Sequence, residues 1–148
     1  MDPKQQVLQL ERLTQGYSAT GLPLTTQRRA LLEVLAGRDD HPTVDQIYEE
    51  LSQVIPEVSR TTVYRSLDVL ANLCLLNRVE HPGSSVRFDP NTAPHHHFLC
   101  CSCGALTDLP DTSLSGSSNL TFVGDDFGVV DEISVLVRGH CHGCAKEA

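Results

Sequence analysis

The spacing of apolar residues changes character about halfway along the chain. Up to about residue 74 it follows a helical period. Val7, Leu10, Leu13 and Tyr17 recur three or four apart, which predicts an amphipathic helix over residues 3–16. Thr25 is placed to cap a second helix with Ala30, Leu31, Val34 and Leu35 on its apolar side, and Gly37 ends it. Thr43 and Gln46 form a capping box for a third, whose inward residues are Val44, Ile47, Tyr48 and Leu51. Ser59 caps a fourth, in which Val63, Leu67, Leu70 and Cys74 continue one stripe.

After Leu76 the period shortens. Residues 76–81 and 86–89 read as two extended runs around the turn-rich segment His81-Pro82-Gly83-Ser84-Ser85. Helices followed by a hairpin are the layout of a winged helix-turn-helix. Asp89-Pro90-Asn91-Thr92-Ala93-Pro94 then interrupts regular structure. Beyond it, residues 97–101, 105–109, 120–124 and 127–138 are strand-like, the last carrying Val129, Val130, Ile133, Val135 and Val137. Residues 112–119, rich in Ser, Gly and Asn, fit either a short helix or a loop. The expected fold class is α+β: an N-terminal winged helix-turn-helix domain over 1–89, a hinge at 90–94, and a small α/β domain over 95–148.

Composition supports this division. The 148 residues are 40% hydrophobic and 20% charged, a globular balance. No apolar run approaches the ~18 residues of a membrane helix, and the mixed N-terminus MDPKQQVLQLERL is no signal peptide. A cytoplasmic protein is expected. A net charge of −8 argues at first against a polyanionic partner, but its distribution is uneven. Residues 1–89 hold nine Lys or Arg against twelve Asp or Glu, whereas residues 90–148 hold two against seven.

Five of the six cysteines fall in the second half, and four of them form Cys100-x-x-Cys103 and Cys141-x-x-Cys144, 37 residues apart. Each pair can present two thiolates to one metal ion, with Gly104 and Gly143 easing the turns, so the pattern predicts a closed, structural zinc site. Two disulfides or free thiols are the alternative, disfavoured without an oxidising compartment.

A second cluster is His95-His96-His97, with Asp89 six residues before it and Asp108 eleven after it. On a strand His95 and His97 share a face and His96 points away. Two imidazoles with carboxylates suit Fe(II), Mn(II) or Zn(II), and the bland alternative is an exposed polar strand. Spacing alone cannot add His41. His81, His140 and His142 read as solvated surface, and Cys74 and Cys101 as packing residues.

The fourth helix leaves Arg60, Thr61, Tyr64 and Arg65 off its apolar stripe, donors suited to phosphates and base edges of DNA, with Gln27, Arg28 and Arg29 able to add backbone contacts. The alternative is an ordinary solvated helix face.

Taken in order, Leu24-Thr25-Thr26-Gln27-Arg28, His41-Pro42-Thr43-Val44-Asp45-Gln46-Ile47-Tyr48, Ser59-Arg60-Thr61-Thr62-Val63-Tyr64-Arg65, Arg87-Phe88-Asp89 and His95-His96-His97-Phe98-Leu99-Cys100 with Cys103-Gly104 resemble the ferric uptake regulator family of metal-dependent bacterial repressors. The resemblance spans roughly residues 20–144 and implies a winged-helix DNA-binding domain, a hinge, an α/β dimerisation domain and a homodimer on double-stranded operator DNA. It implies structural Zn(II) on Cys100, Cys103, Cys141 and Cys144. It further implies regulatory Fe(II) or Mn(II) on His41, Asp89, His95, His97 and Asp108. Asp at positions 89 and 108, where iron-responsive members tend to have Glu, resembles the peroxide-sensing branch, in which His41 or His95 would be oxidised.

A third metal site of some members would need His where this chain has Pro94 and Ile133, so it is not expected. Neither a membrane nor a small-molecule substrate is implied, and the protein is expected to be no enzyme. Two other readings stand beside this one: a repressor reporting only metal availability, and a non-haem metal enzyme built on His-x-His and Asp.

Overall fold

The computed structural model describes residues 2–80, 85–109, 128–129 and 133–146, and the chain falls into two compact units, 1–92 and 93–148. In the first, four helices precede a two-stranded hairpin: α1 (Pro3–Ala19), α2 (Thr26–Ala36), α3 (Val44–Val54), α4 (Arg60–Asn72), β1 (Asn77–Val79) and β2 (Arg87–Asp89). The caps explain the helix starts. Asp2, Thr25, Thr43 and Ser59 each accept a backbone N–H of the first turn, and Asp2 and Thr43 complete capping boxes with Gln5 and Gln46. The winged helix-turn-helix read from the sequence is present.

Its core gathers one stripe from each helix: Leu13 and Tyr17, Leu31 and Leu35, Ile47 and Leu51, Val63 and Leu67, closed by Leu76 and Phe88 from the hairpin region. Val7, expected on that stripe, is exposed, because α1 meets the core only through its C-terminal half. Gly16 marks the close approach: a Cβ there would meet Leu75 Cδ2 at 2.3 Å. Cys74 departs from the expected stripe as well. The helix stops at Asn72, Cys74 takes a left-handed φ of 55°, and the Leu75 N–H turns back onto the Leu70 carbonyl. The Cys74 side chain therefore faces solvent rather than packing.

Leu67 is completely buried at the centre of this core. Leu67→Ala is expected to destabilise the protein by about 3 kcal/mol, read as a lowered chemical-denaturation midpoint with unchanged slope. A loss under about 1 kcal/mol would mean the core is organised elsewhere.

The second unit contains β3 (His96–Cys100), β4 (Leu106–Leu109), β5 (Leu136–Gly139) and a 3-10 turn at Cys144–Lys146. The sheet order is β4-β3-β5, with β3 antiparallel to β4 and parallel to β5. The strand expected over 127–138 begins only at Leu136 among the described residues. Val129, 90% exposed, and Ile133 lie outside it, and the approach to the sheet begins where the His97 N–H donates to the Val135 carbonyl. The readings made for 81–84, 110–127 and 130–132 lie outside the described residues. No helix among the described residues is long and apolar enough to cross a membrane.

Candidate metal centres

The four paired cysteines converge at one end of the β3-β5 pair. Cys100 closes β3 opposite Gly139, the last residue of β5, so Cys141 follows two residues beyond the strand end. Gly104, at φ 71°, allows the chain to reverse and return its N–H to the Cys100 carbonyl at 2.9 Å. The four thiols lie within 4.8 Å of one another, and Cys103 Sγ and Cys141 Sγ are 3.9 Å apart. That separation excludes a disulfide, whose S–S bond is about 2.0 Å. It matches the edge of a tetrahedron with metal–sulfur bonds of about 2.3 Å, roughly 3.8 Å. All six cysteines are free thiols.

The electrostatics fit the same occupant. Backbone N–H groups of Cys103 and Cys141 stabilise the Cys100 thiolate and lower its pKa to about 5. The Cys144 thiol, hydrogen-bonded with Cys141 and Cys103 and facing an already ionised neighbour, is pushed up to about 12. Four thiols this close ionise together only around a cation. Cys101, expected to pack, is exposed: β3 has ended, and its N–H is spent on the Gly139 carbonyl at 2.7 Å. Ser102 Oγ meets His140 Nδ1 at 2.8 Å, and His140 and His142 are exposed, as expected.

The second unit also holds a nitrogen–oxygen donor group. His95 Nε2 and His97 Nε2 are 3.0 Å apart, and Asp108 Oδ1 lies 3.3 Å from the first and 3.9 Å from the second. Register explains the grouping: His95 and His97 are two apart, and Asp108 on β4 is the cross-strand partner of His97. His95 Nδ1 contacts the Ala93 carbonyl at 2.7 Å, which places the proton on Nδ1 and leaves the Nε2 lone pair toward the cluster. His96 faces away, as alternation requires. It is buried there, its Nδ1 accepting the Val135 N–H at 3.2 Å.

The first unit contributes a separate pair. His41, 2% exposed, has Nε2 3.8 Å from Asp89 Oδ2. Its backbone is left-handed, φ 50°, unusual for a side chain with a Cβ and more so before a proline. Surrounding contacts hold it there. Arg87 Nη1 donates to the His41 carbonyl at 3.0 Å, the Phe88 N–H donates to the Pro42 carbonyl at 2.9 Å, and Thr43 bridges to Arg87. Before it, Arg38 grips Asp40 with two hydrogen bonds and Glu50 with one. The Arg38 guanidinium holds the Asp40 carboxyl below its usual range. Sequence spacing had no means of adding Arg87 or His41, because their contact joins the loop before α3 to the end of the hairpin.

The predicted DNA-facing residues differ among themselves. Gln27, Thr61, Tyr64 and Arg65 are exposed. Arg28 is half-buried, donating to the Pro23 carbonyl at 2.9 Å and lying over the Tyr17 ring. Arg60 is exposed but ion-paired with Asp45 and stacked 4.6 Å over Tyr48.

The family model described as "Ferric uptake regulator family" matches residues 19–132. The peroxide-responsive repressor PerR of Staphylococcus epidermidis is 32% identical over 139 residues, covering 94% of this chain and 92% of that protein. Among solved structures, the ferric uptake regulator of Helicobacter pylori aligns with a TM-score of 0.74 at 23% identity, over 95% of this chain and 93% of that one. The peroxide stress regulator of Campylobacter jejuni aligns with a TM-score of 0.63 at 24% identity, over 97% and 100%.

The chain belongs to the ferric uptake regulator family. It is accordingly a regulator and not an enzyme, with similarity to peroxide-responsive members along nearly its whole length.

Proposed function

We propose that this protein is a metal-dependent transcriptional repressor that binds double-stranded operator DNA as a homodimer and responds to hydrogen peroxide. The observation that carries the metal reading is the orientation of His95 and His97. Two Nε2 atoms face one point beside a carboxylate, with the His95 tautomer set by a backbone carbonyl. Neutral imidazoles and carboxylates suit Fe(II) or Mn(II), whereas the four thiols suit Zn(II). His41 and Asp89 would complete the nitrogen–oxygen set from the first unit, and Cys100, Cys103, Cys141 and Cys144 would hold the structural ion. An ion drawing on both units favours one arrangement of them, and thereby the spacing of two recognition helices on successive major-groove turns. Thr61, Tyr64 and Arg65 on α4 supply donors to bases and phosphates, joined by Arg60, Gln27 and Arg28.

Asp89 and Asp108, together with the similarity to a peroxide-responsive repressor, favour peroxide as the signal. Held by His41, Asp89, His95, His97 and Asp108, ferrous iron would supply the reducing equivalent for cleavage of the peroxide O–O bond. His41 and His95 are the side chains offered for attack. An imidazole that gained oxygen would be a poorer metal donor, and metal-dependent DNA binding would be lost with the ion.

The test is peptide mass spectrometry on protein loaded anaerobically with Fe(II) and given a small excess of hydrogen peroxide, with a Mn(II)-loaded control. One added oxygen on the peptide holding His41 or His95, in the iron sample only, is expected. Unmodified histidines in a protein whose DNA binding still depends on metal would make it a repressor of metal availability.

A further inference from the structure

The start of the segment leading out of the first unit is held by three side-chain contacts. Arg12, on α1, donates through Nη2 to the Pro90 carbonyl and through Nη1 to Thr92 Oγ1 at 3.1 Å. Between these two, the Asn91 carbonyl accepts from Asn77 Nδ2 at 3.2 Å. Asn77 is itself the register partner of Asp89 in the wing. Residues 90, 91 and 92 are thus each fastened to α1 or β1. The turn they form returns the Asn91 N–H to Asp89 Oδ1 at 2.7 Å, while Oδ2 of the same carboxylate lies on the His41 side. A carboxylate is nearly symmetric about its last torsion. The Asn91 N–H therefore decides which oxygen is engaged by backbone and which faces His41.

We propose that Arg12 is a positioning residue for the regulatory metal site: by clamping Pro90 and Thr92 it maintains the turn that aims Asp89 Oδ2 beside His41. The inference rests on the reading of Asp89 as a metal ligand. Arg12 touches neither the ion nor a ligand; it acts through the turn. Leu13 and Tyr17, buried beside it on α1, make it a fixed anchor. The planar guanidinium fork spans two acceptors two residues apart, which a single ammonium does not reproduce. α1 lies almost wholly before the family-model match, which begins at residue 19.

The experiment uses full-length, zinc-loaded protein, wild type and the variants Arg12→Ala, Arg12→Lys and Asn77→Ala, with Mn(II) as probe. Before Mn(II) is added, amide exchange at Asn91 by NMR should accelerate about tenfold in Arg12→Ala, the effect of losing two hydrogen bonds at this turn. The Mn(II) dissociation constant should rise about tenfold, the low end of what partners outside a ligand shell contribute. Arg12→Lys should fall between wild type and Arg12→Ala, and Asn77→Ala, which leaves α1 untouched, should weaken Mn(II) in the same direction. Zinc content and unfolding midpoint should match wild type. Unchanged Mn(II) affinity with faster Asn91 exchange would overturn the positioning role, as would unchanged exchange. Wild type that binds no Mn(II) beyond its zinc would instead overturn the metal-site reading, and this inference with it.

Discussion

His41→Ala is expected to abolish metal stimulation of DNA binding while leaving zinc content unchanged. The expectation follows from where the donors reside. His95, His97 and Asp108 are assembled by the β3-β4 register and need nothing from the first unit to face one another. The first unit offers His41 and Asp89, packed together and buried. An ion biases the arrangement of the units only through its differential affinity for the arrangements. Without His41 the first unit retains a single carboxylate, and most of that difference disappears. Mn(II) should still bind, at least about tenfold more weakly. Its effect on affinity for a duplex selected from a random library by the Mn(II)-loaded wild type should shrink to less than about twofold. Fluorescence anisotropy at constant ionic strength measures this, since phosphate-anchored binding varies steeply with salt. A variant that responds to Mn(II) as wild type does would sink the model of an ion shared by both units.

The second large effect belongs to the thiol cluster. Cys103→Ser should reduce bound zinc from one per chain toward none and unfold the second unit. Among its described residues that unit has a three-stranded sheet and few buried apolar side chains: Leu99, Cys100 and Leu106. A structural zinc site contributes on the order of 10 kcal/mol to folding of such a small domain. Elemental analysis should show the metal loss, and NMR should show collapse of the β3 and β5 resonances while those of α2, α3 and α4 persist. A Cys103→Ser protein with full zinc and an intact sheet would show that three thiols suffice and that Cys103 is incidental.

Much of this architecture was legible in the sequence for local reasons. Capping residues act within one turn, so Thr25, Thr43 and Ser59 marked their helix starts. The alternation of a strand set His95 and His97 together and His96 apart, and Cys-x-x-Cys needs only a turn. What escaped depends on contacts between distant segments. The loop bearing His41 is fixed by pairing with β2, more than forty residues later, and no periodicity reports that. Nothing in the sequence pattern singles out Arg12 or Asn77, because their acceptors are backbone carbonyls and a hydroxyl near residue 90. Cys74 failed for the opposite reason: the helical period was extended past the point where Leu75 folds back to close the helix.

The parallel pairing of β3 with β5 also sets when the zinc site can be complete. His97 and Leu136 must meet across almost forty residues before the β3-β5 pair exists. Non-local closure is slower than forming the local turns at Cys100–Cys103 and Cys141–Cys144, so each Cys-x-x-Cys turn can form before the two are brought together. During that interval the four thiols are not yet gathered, and zinc has no complete site. A thiol oxidised before that closure is no longer a thiolate ligand, so the zinc staple depends on Cys100 and Cys141 staying reduced until the sheet has formed.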